Sequence, residues 1–177
     1  MKSFSFLLFL ALAMVLPRAS GLALTPNEVG LRFGKEFDEP LQVRTGEIFV
    51  LTSPFYEKPF EPTYGTISLN GAGALALLRA DKDWSAAVRL GPSLNWSEPL
   101  RLPLTLRADI SPTILSQKSL AGRQIGGLFH LTSGFQVDLK ISSNYSVHYR
   151  IQHTSNAGTR SPNPGLDLHF IGFSRKL

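Results

Sequence analysis

Residues Tyr145–Phe173 read YSVHYRIQHTSNAGTRSPNPGLDLHFIGF. Tyr145, Val147, Tyr149 and Ile151 are apolar, whereas Ser146, His148, Arg150 and Gln152 between them are polar. Strict alternation of period two marks a strand with one face in an apolar medium. His153 and Ser155 continue the odd parity, so they point the same way as the apolar residues. A loop rich in Gly, Pro and Asn follows, and a second alternating run begins at Leu166. Antiparallel pairing about Arg160 sets Asp167 opposite His153. A hydroxyl, an imidazole and a carboxylate then share one face of one hairpin, and these are the parts of an activated nucleophile.

The same alternation recurs along the chain. Phe135, Val137, Leu139 and Ile141 alternate with Gln136, Asp138 and Lys140, within a strand expected over Gly126–Ile141. Ser142–Asn144 is read as a three-residue turn that pairs Ile141 with Tyr145 and keeps both apolar faces together. Leu100–Ile110 alternates without fault and reads as another strand, although Pro103 costs it a ladder hydrogen bond. Ser111-Pro112 is expected to open a loop or short helical turn ending at Gly122. Further strands are expected over Val29–Gly34 and Leu41–Thr52, with a Pro-rich loop over Ser53–Pro62. Asn70-Gly71 reads either as a tight hairpin turn or as a Gly-weakened point in one long strand. Ala72–Leu90 contains good helix formers, but its apolar residues form no clean 3.6-residue stripe, so strands broken at Ala80–Asp83 are preferred.

The chain starts with Lys2, an apolar run Phe4–Leu16, then Pro17, Arg18 and small residues. This is the pattern of a secretory signal peptide over residues 1–23, too short for a membrane helix. Residues 24–177 then form a single domain. Losing Lys2 and Arg18 lowers the formal net charge from +5 to +3, too mild to argue for nucleic acid. There is no cysteine, so no disulfide framework holds the fold. No apolar run in 24–177 is long enough to span a bilayer as a helix, so any span must be a strand.

Two all-β architectures fit. One is a soluble β-sandwich with its apolar face inward. The other is an eight-stranded antiparallel outer-membrane β-barrel, apolar outward to lipid and polar inward. The polar faces carry Asp138, Lys140, His148 and Arg150, which suit an internal network. Trp84, Trp96, Tyr145 and Tyr149 suit interfacial belts or a sandwich core equally. His148 falls opposite Asp138 on the inner face, near Ser146, and an interior ion-pair ladder explains that set better than catalysis. The four His form no zinc set, because His148 and His153 point to opposite faces, and no metal or cofactor is expected.

Polar residues at a strand end usually just leave the apolar zone, and H-x-S alone carries little information. The longer pattern carries more. His153-Thr154-Ser155-Asn156-Ala157-Gly158, followed by Pro162-Asn163-Pro164-Gly165-Leu166-Asp167, resembles the active-site hairpin of the lipid A 3-O-deacylase family. The resemblance is sharp over about fifteen residues and looser back to about Leu100. It implies an eight-stranded barrel in the bacterial outer membrane that hydrolyses an ester-linked acyl chain of lipopolysaccharide. It implies Ser155 as nucleophile, His153 as base and Asp167 where the family has Glu. Asn156, Gly158 and Asn163 fall on the oxyanion and supporting positions. The implied partners are lipid A and outer-membrane lipid, with a homodimer left open. Asp167 is one methylene shorter than the family's Glu, and the chain ends Arg175-Lys176-Leu177 rather than in an aromatic residue. A non-catalytic barrel that kept the hairpin and an adhesin-like sandwich module are the alternative functions.

Overall fold

The computed structural model describes residues 25–37, 42–61 and 63–177. The expected signal peptide lies outside them, as does Pro62 of the expected Pro-rich loop. Among the described residues, eight long strands close into a barrel: β1 (Pro26–Glu36), β2 (Arg44–Pro59), β3 (Thr66–Ala80), β4 (Asp83–Ser97), β5 (Leu104–Leu115), β8 (Phe129–Lys140), β9 (Tyr145–Ser155) and β10 (Leu166–Lys176). Each pairs antiparallel with its neighbour in the chain, and β10 closes onto β1. A small ribbon, β6 (Ser119–Leu120) with β7 (Arg123–Gln124), lies in the connection after β5. A sandwich would bury Phe135, Val137 and Leu139 between two sheets. Here Phe135 and Leu139 face outward, 44% and 47% exposed.

The alternation sets this geometry. Odd residues of β9 face out, with Phe33 and Ile171 beside them on β1 and β10. Even residues face in, and the inner face is charged. Arg32 and Arg89 both pair with Glu47, Arg107 bridges Glu28 and Asp138 at 2.8 and 2.7 Å, and Arg150 pairs with Asp109. Four arginines thus meet four carboxylates in a filled interior. Such charges are tolerated away from water only when paired and hydrogen-bonded. His148 does lie opposite Asp138, 3.8 Å away, but neither ring nitrogen is hydrogen-bonded. Lys140 pairs instead with Glu98 at the barrel rim, 2.5 Å apart. At the other end the interior turns apolar. Leu120 of β6 and Ile125, just after β7, pack there with Leu78, Leu115, Leu168 and Phe170.

Several boundaries differ from those expected. β2 runs through Ser53-Pro54 to Pro59 rather than stopping at Thr52, because irregularities around Pro54 absorb the missing donor and re-pair Tyr56 with Leu69. β3 is one long strand with Asn70-Gly71 in its middle, paired across to Ser93 and Pro92. The break at Ala80–Asp83 is observed, and residues 72–90 form no helix. Leu100 and Leu102 are not part of β5. Pro99–Arg101 is a 3-10 turn with Leu100 at φ 55, and the strand begins only after Pro103. In turn, β5 continues through Ser111-Pro112 to Leu115 instead of breaking there. Its ladder to β4 is open between the pairs Arg89↔Thr113 and Ser93↔Asp109, so Pro112 sits where no donor is needed on that side. The Ser142–Asn144 turn is as expected, with Ile141 N–H donating to Tyr145 O at 2.9 Å.

Candidate active site

The β9–β10 hairpin pairs about Arg160, and His153 lies directly opposite Asp167. His153 Nδ1 and Asp167 Oδ1 are hydrogen-bonded at 2.7 Å. The shorter Asp therefore reaches the imidazole without help from an extra methylene. Both side chains face outward and are half exposed, at 50% and 54%. Ser155 lies two residues further along the same face and is part-buried. No hydrogen bond joins Ser155 to His153 in this structure. With Nδ1 held by the carboxylate, Nε2 is the nitrogen left to act on a hydroxyl.

The loop after Ser155 is organised by Asn156, which is 2% exposed. Its Nδ2 donates towards Gly126 O, Arg160 O and Pro162 O at 3.2, 2.9 and 3.1 Å. Its Oδ1 accepts the Gly158 N–H at 2.9 Å, and its own N–H donates to Asn163 Oδ1 at 3.0 Å. The side chain of Asn156 is thus occupied by the loop and does not point a free donor at the hairpin face. Asn163 is an exposed residue that accepts through Oδ1, which leaves its Nδ2 for another partner. Gly165 has φ +71, and a Cβ there would come within 3.0 Å of the His153 ring. Glycine at this position satisfies the turn and leaves the imidazole its space.

An open groove on the outer wall begins at this site. Phe37, Ser133, Phe135, Ile151, His153 and Asp167 line it. Ser133 is opposite His153 on β8, just as Asp167 is opposite it on β10. Phe37 continues the row, its N–H donating to Asp167 O at 3.0 Å, and its ring stacks on His169 at 4.8 Å. Ser133 was not among the residues expected at the site, although the sequence carries the signal for it. Pairing Ile141 with Tyr145 and counting up both strands brings Ser133 to His153. Phe37 could not be found this way, because the closure of β10 on β1 is not written in any short turn. His130 is buried, with Nε2 3.0 Å from Gly127 O, and takes no part in the site. No group of His, Cys, Asp and Glu among the described residues could hold a metal.

Comparison with known proteins places the fold and the family. The family model described as lipid A 3-O-deacylase (PagL) matches residues 48–176. A lipid A deacylase PagL of Bordetella bronchiseptica is 33% identical over 63 residues, covering 36% of this chain and 35% of that protein. The matched stretch thus spans about a third of the length of this relative. The crystal structure of the outer membrane enzyme PagL superposes with a TM-score of 0.71 at 15% identity, over 83% of this chain and 97% of that one. A designed transmembrane β-barrel superposes with a TM-score of 0.57 at 10% identity, over 86% of this chain and 95% of that one. The two superpositions establish the barrel, and the family match over most of the chain establishes the kinship: this chain belongs to the lipid A 3-O-deacylase family.

Proposed function

We propose that this protein is an outer-membrane esterase that removes an ester-linked acyl chain from lipid A by means of Ser155, His153 and Asp167. The observation that carries the reading is the position of the bonded His153–Asp167 pair. It sits on the outer, lipid-facing wall of the barrel, in an open groove to which Phe37, Phe135 and Ile151 give apolar surface. A hydrolytic site facing the barrel interior would meet packed arginines and carboxylates. A site on this wall meets acyl chains in the leaflet.

In the reaction, Ser155 Oγ attacks the ester carbonyl while His153 Nε2 takes the hydroxyl proton. Asp167 holds Nδ1 and stabilises the imidazolium. The tetrahedral oxyanion needs preorganised donors, and Asn163 Nδ2 is suited to this, fixed by the bond its Oδ1 makes to Asn156. Collapse breaks the ester bond, the sugar oxygen leaves with the proton from His153, and the acyl group stays on Ser155. Water, deprotonated by His153, then releases the fatty acid. Phe135 and Ile151 cradle the chain below the site.

Ser133 lies opposite His153 on β8 and lines the same groove, so its hydroxyl is a second candidate nucleophile. The H-x-S-N-A-G pattern and the buried loop behind it favour Ser155. Purified protein incubated with lipid A decides the matter. Ser155→Ala and His153→Ala should each abolish fatty-acid release, with losses that do not add. Ser133→Ala should retain activity. If Ser133→Ala abolishes release and Ser155→Ala does not, the nucleophile is Ser133.

A further inference from the structure

A second groove lies on the outer wall across β1–β4, beginning at the strand that pairs with β10 of the hairpin. Its floor is the row Phe33, Gly46, Leu77 and Ala86, paired strand to strand. Gly46 contributes no side chain and Ala86 only a methyl, so a trough runs between the walls. One row nearer the active-site end, the pairs are Lys35↔Arg44, Arg44↔Arg79 and Arg79↔Trp84, all exposed. Three cations on consecutive strands are therefore side by side. Like charges directly opposite one another weaken a sheet. Inside this barrel each arginine of the network has a carboxylate. Outside, Arg44 and Arg79 form no ion pair among the described residues. Arg79 donates Nε to Asp81 O at 3.1 Å and its guanidinium sits 5.5 Å from the Trp84 ring centroid, which holds it at the mouth of the trough.

The geometry points to a clamp for a phosphorylated lipid headgroup: Arg44 and Arg79 take a phosphate of lipid A, and one of its acyl chains lies along Gly46 and Ala86. The assignment rests on the reading of this protein as a lipid A deacylase. Guanidinium forks match phosphate oxygens in shape and charge, and the apolar trough directly beneath them fits a molecule that is anionic above and aliphatic below. Three strand spacings of about 4.8 Å, about 14 Å in all, separate β2 from β9. A disaccharide headgroup bridges that interval, so the clamp positions the substrate while its ester lies at Ser155.

Binding is best measured on the full chain carrying Ser155→Ala, in phosphatidylcholine vesicles, so that no turnover intervenes. The probes are lipid A and the same lipid A with its phosphates removed. The phosphorylated form should bind about tenfold more tightly or better, the scale of one charge-assisted contact. Arg44→Gln combined with Arg79→Gln should erase that difference while heat-modifiable gel migration shows an intact barrel. In the active protein the same two substitutions should raise KM for phosphorylated lipid A and leave kcat unchanged. Equal binding of the two lipid forms, unchanged affinity in the double variant, or displacement of lipid A by phosphatidylglycerol at equal concentration would overturn the clamp. Phosphate-dependent, arginine-dependent binding by a protein that never releases fatty acid would uphold the clamp and refute the hydrolase reading.

Discussion

His153 and Asp167 form their 2.7 Å bond between two half-exposed side chains, so the contact depends on strand register rather than on burial. Direct cross-strand neighbours have Cβ atoms about 4.5–5.5 Å apart, close enough for Asp to reach an imidazole. Asp167→Glu is therefore expected to keep activity within about tenfold, because nothing needs lengthening. Asp167→Ala should lower kcat by about 10²-fold or more, within the range of general acid–base effects, and by less than His153→Ala. Steady-state kinetics on purified lipid A checks both. Asn156 calls for a different expectation. Its removal unties Arg160 O and Pro162 O and strands Gly126 O, which is on a buried residue, and an unsatisfied buried group costs about 1–3 kcal/mol. Asn156→Ala should thus loosen the loop, seen as faster proteolysis between Asn156 and Gly165, together with its loss of activity. Asn163→Ala should lower kcat about 10²–10³-fold, the usual cost of an oxyanion donor, with the loop still protected.

At the scale of the element, the hairpin was the most legible part of the sequence. Its period, its turn residues and the pairing about Arg160 all follow from one uninterrupted alternation. The proline positions were the least legible. Pro54, Pro103 and Pro112 look alike in sequence, yet one is absorbed by an irregularity, one precedes a strand, and one sits in an open part of the ladder. Only the register of the neighbouring strand distinguishes them. Gly134 shows a similar dependence. A Cβ there would overlap the Arg150 guanidinium, so this glycine makes room for the Arg150–Asp109 pair beside the site. Gly134→Ala should displace Arg150 and cost about 1–3 kcal/mol, the usual penalty for overpacking. A lower midpoint of unfolding in urea and detergent would show it.

For the whole molecule, the inverted pattern — apolar outside, charged inside — is what the alternation could not decide alone, since a sandwich uses the same letters with the opposite facing. The interior network shows the choice physically. Glu47 pairs with both Arg32 and Arg89, and breaking a buried pair costs about 3–5 kcal/mol because it leaves uncompensated charge. Glu47→Gln should therefore lower thermal stability markedly while the outer wall, and the site on it, keep their geometry below the transition. Heat-dependent gel migration reads this directly. Whether the protein is a lipid-facing esterase acting on lipid A is read by mass spectrometry of lipid A from bacteria expressing it. The wild-type chain should yield a species lighter by one ester-linked acyl chain, and Ser155→Ala folded in the same membrane should leave lipid A at full mass. Unaltered lipid A from cells bearing correctly folded wild-type protein, or the same truncated species with Ser155→Ala, would contradict that activity.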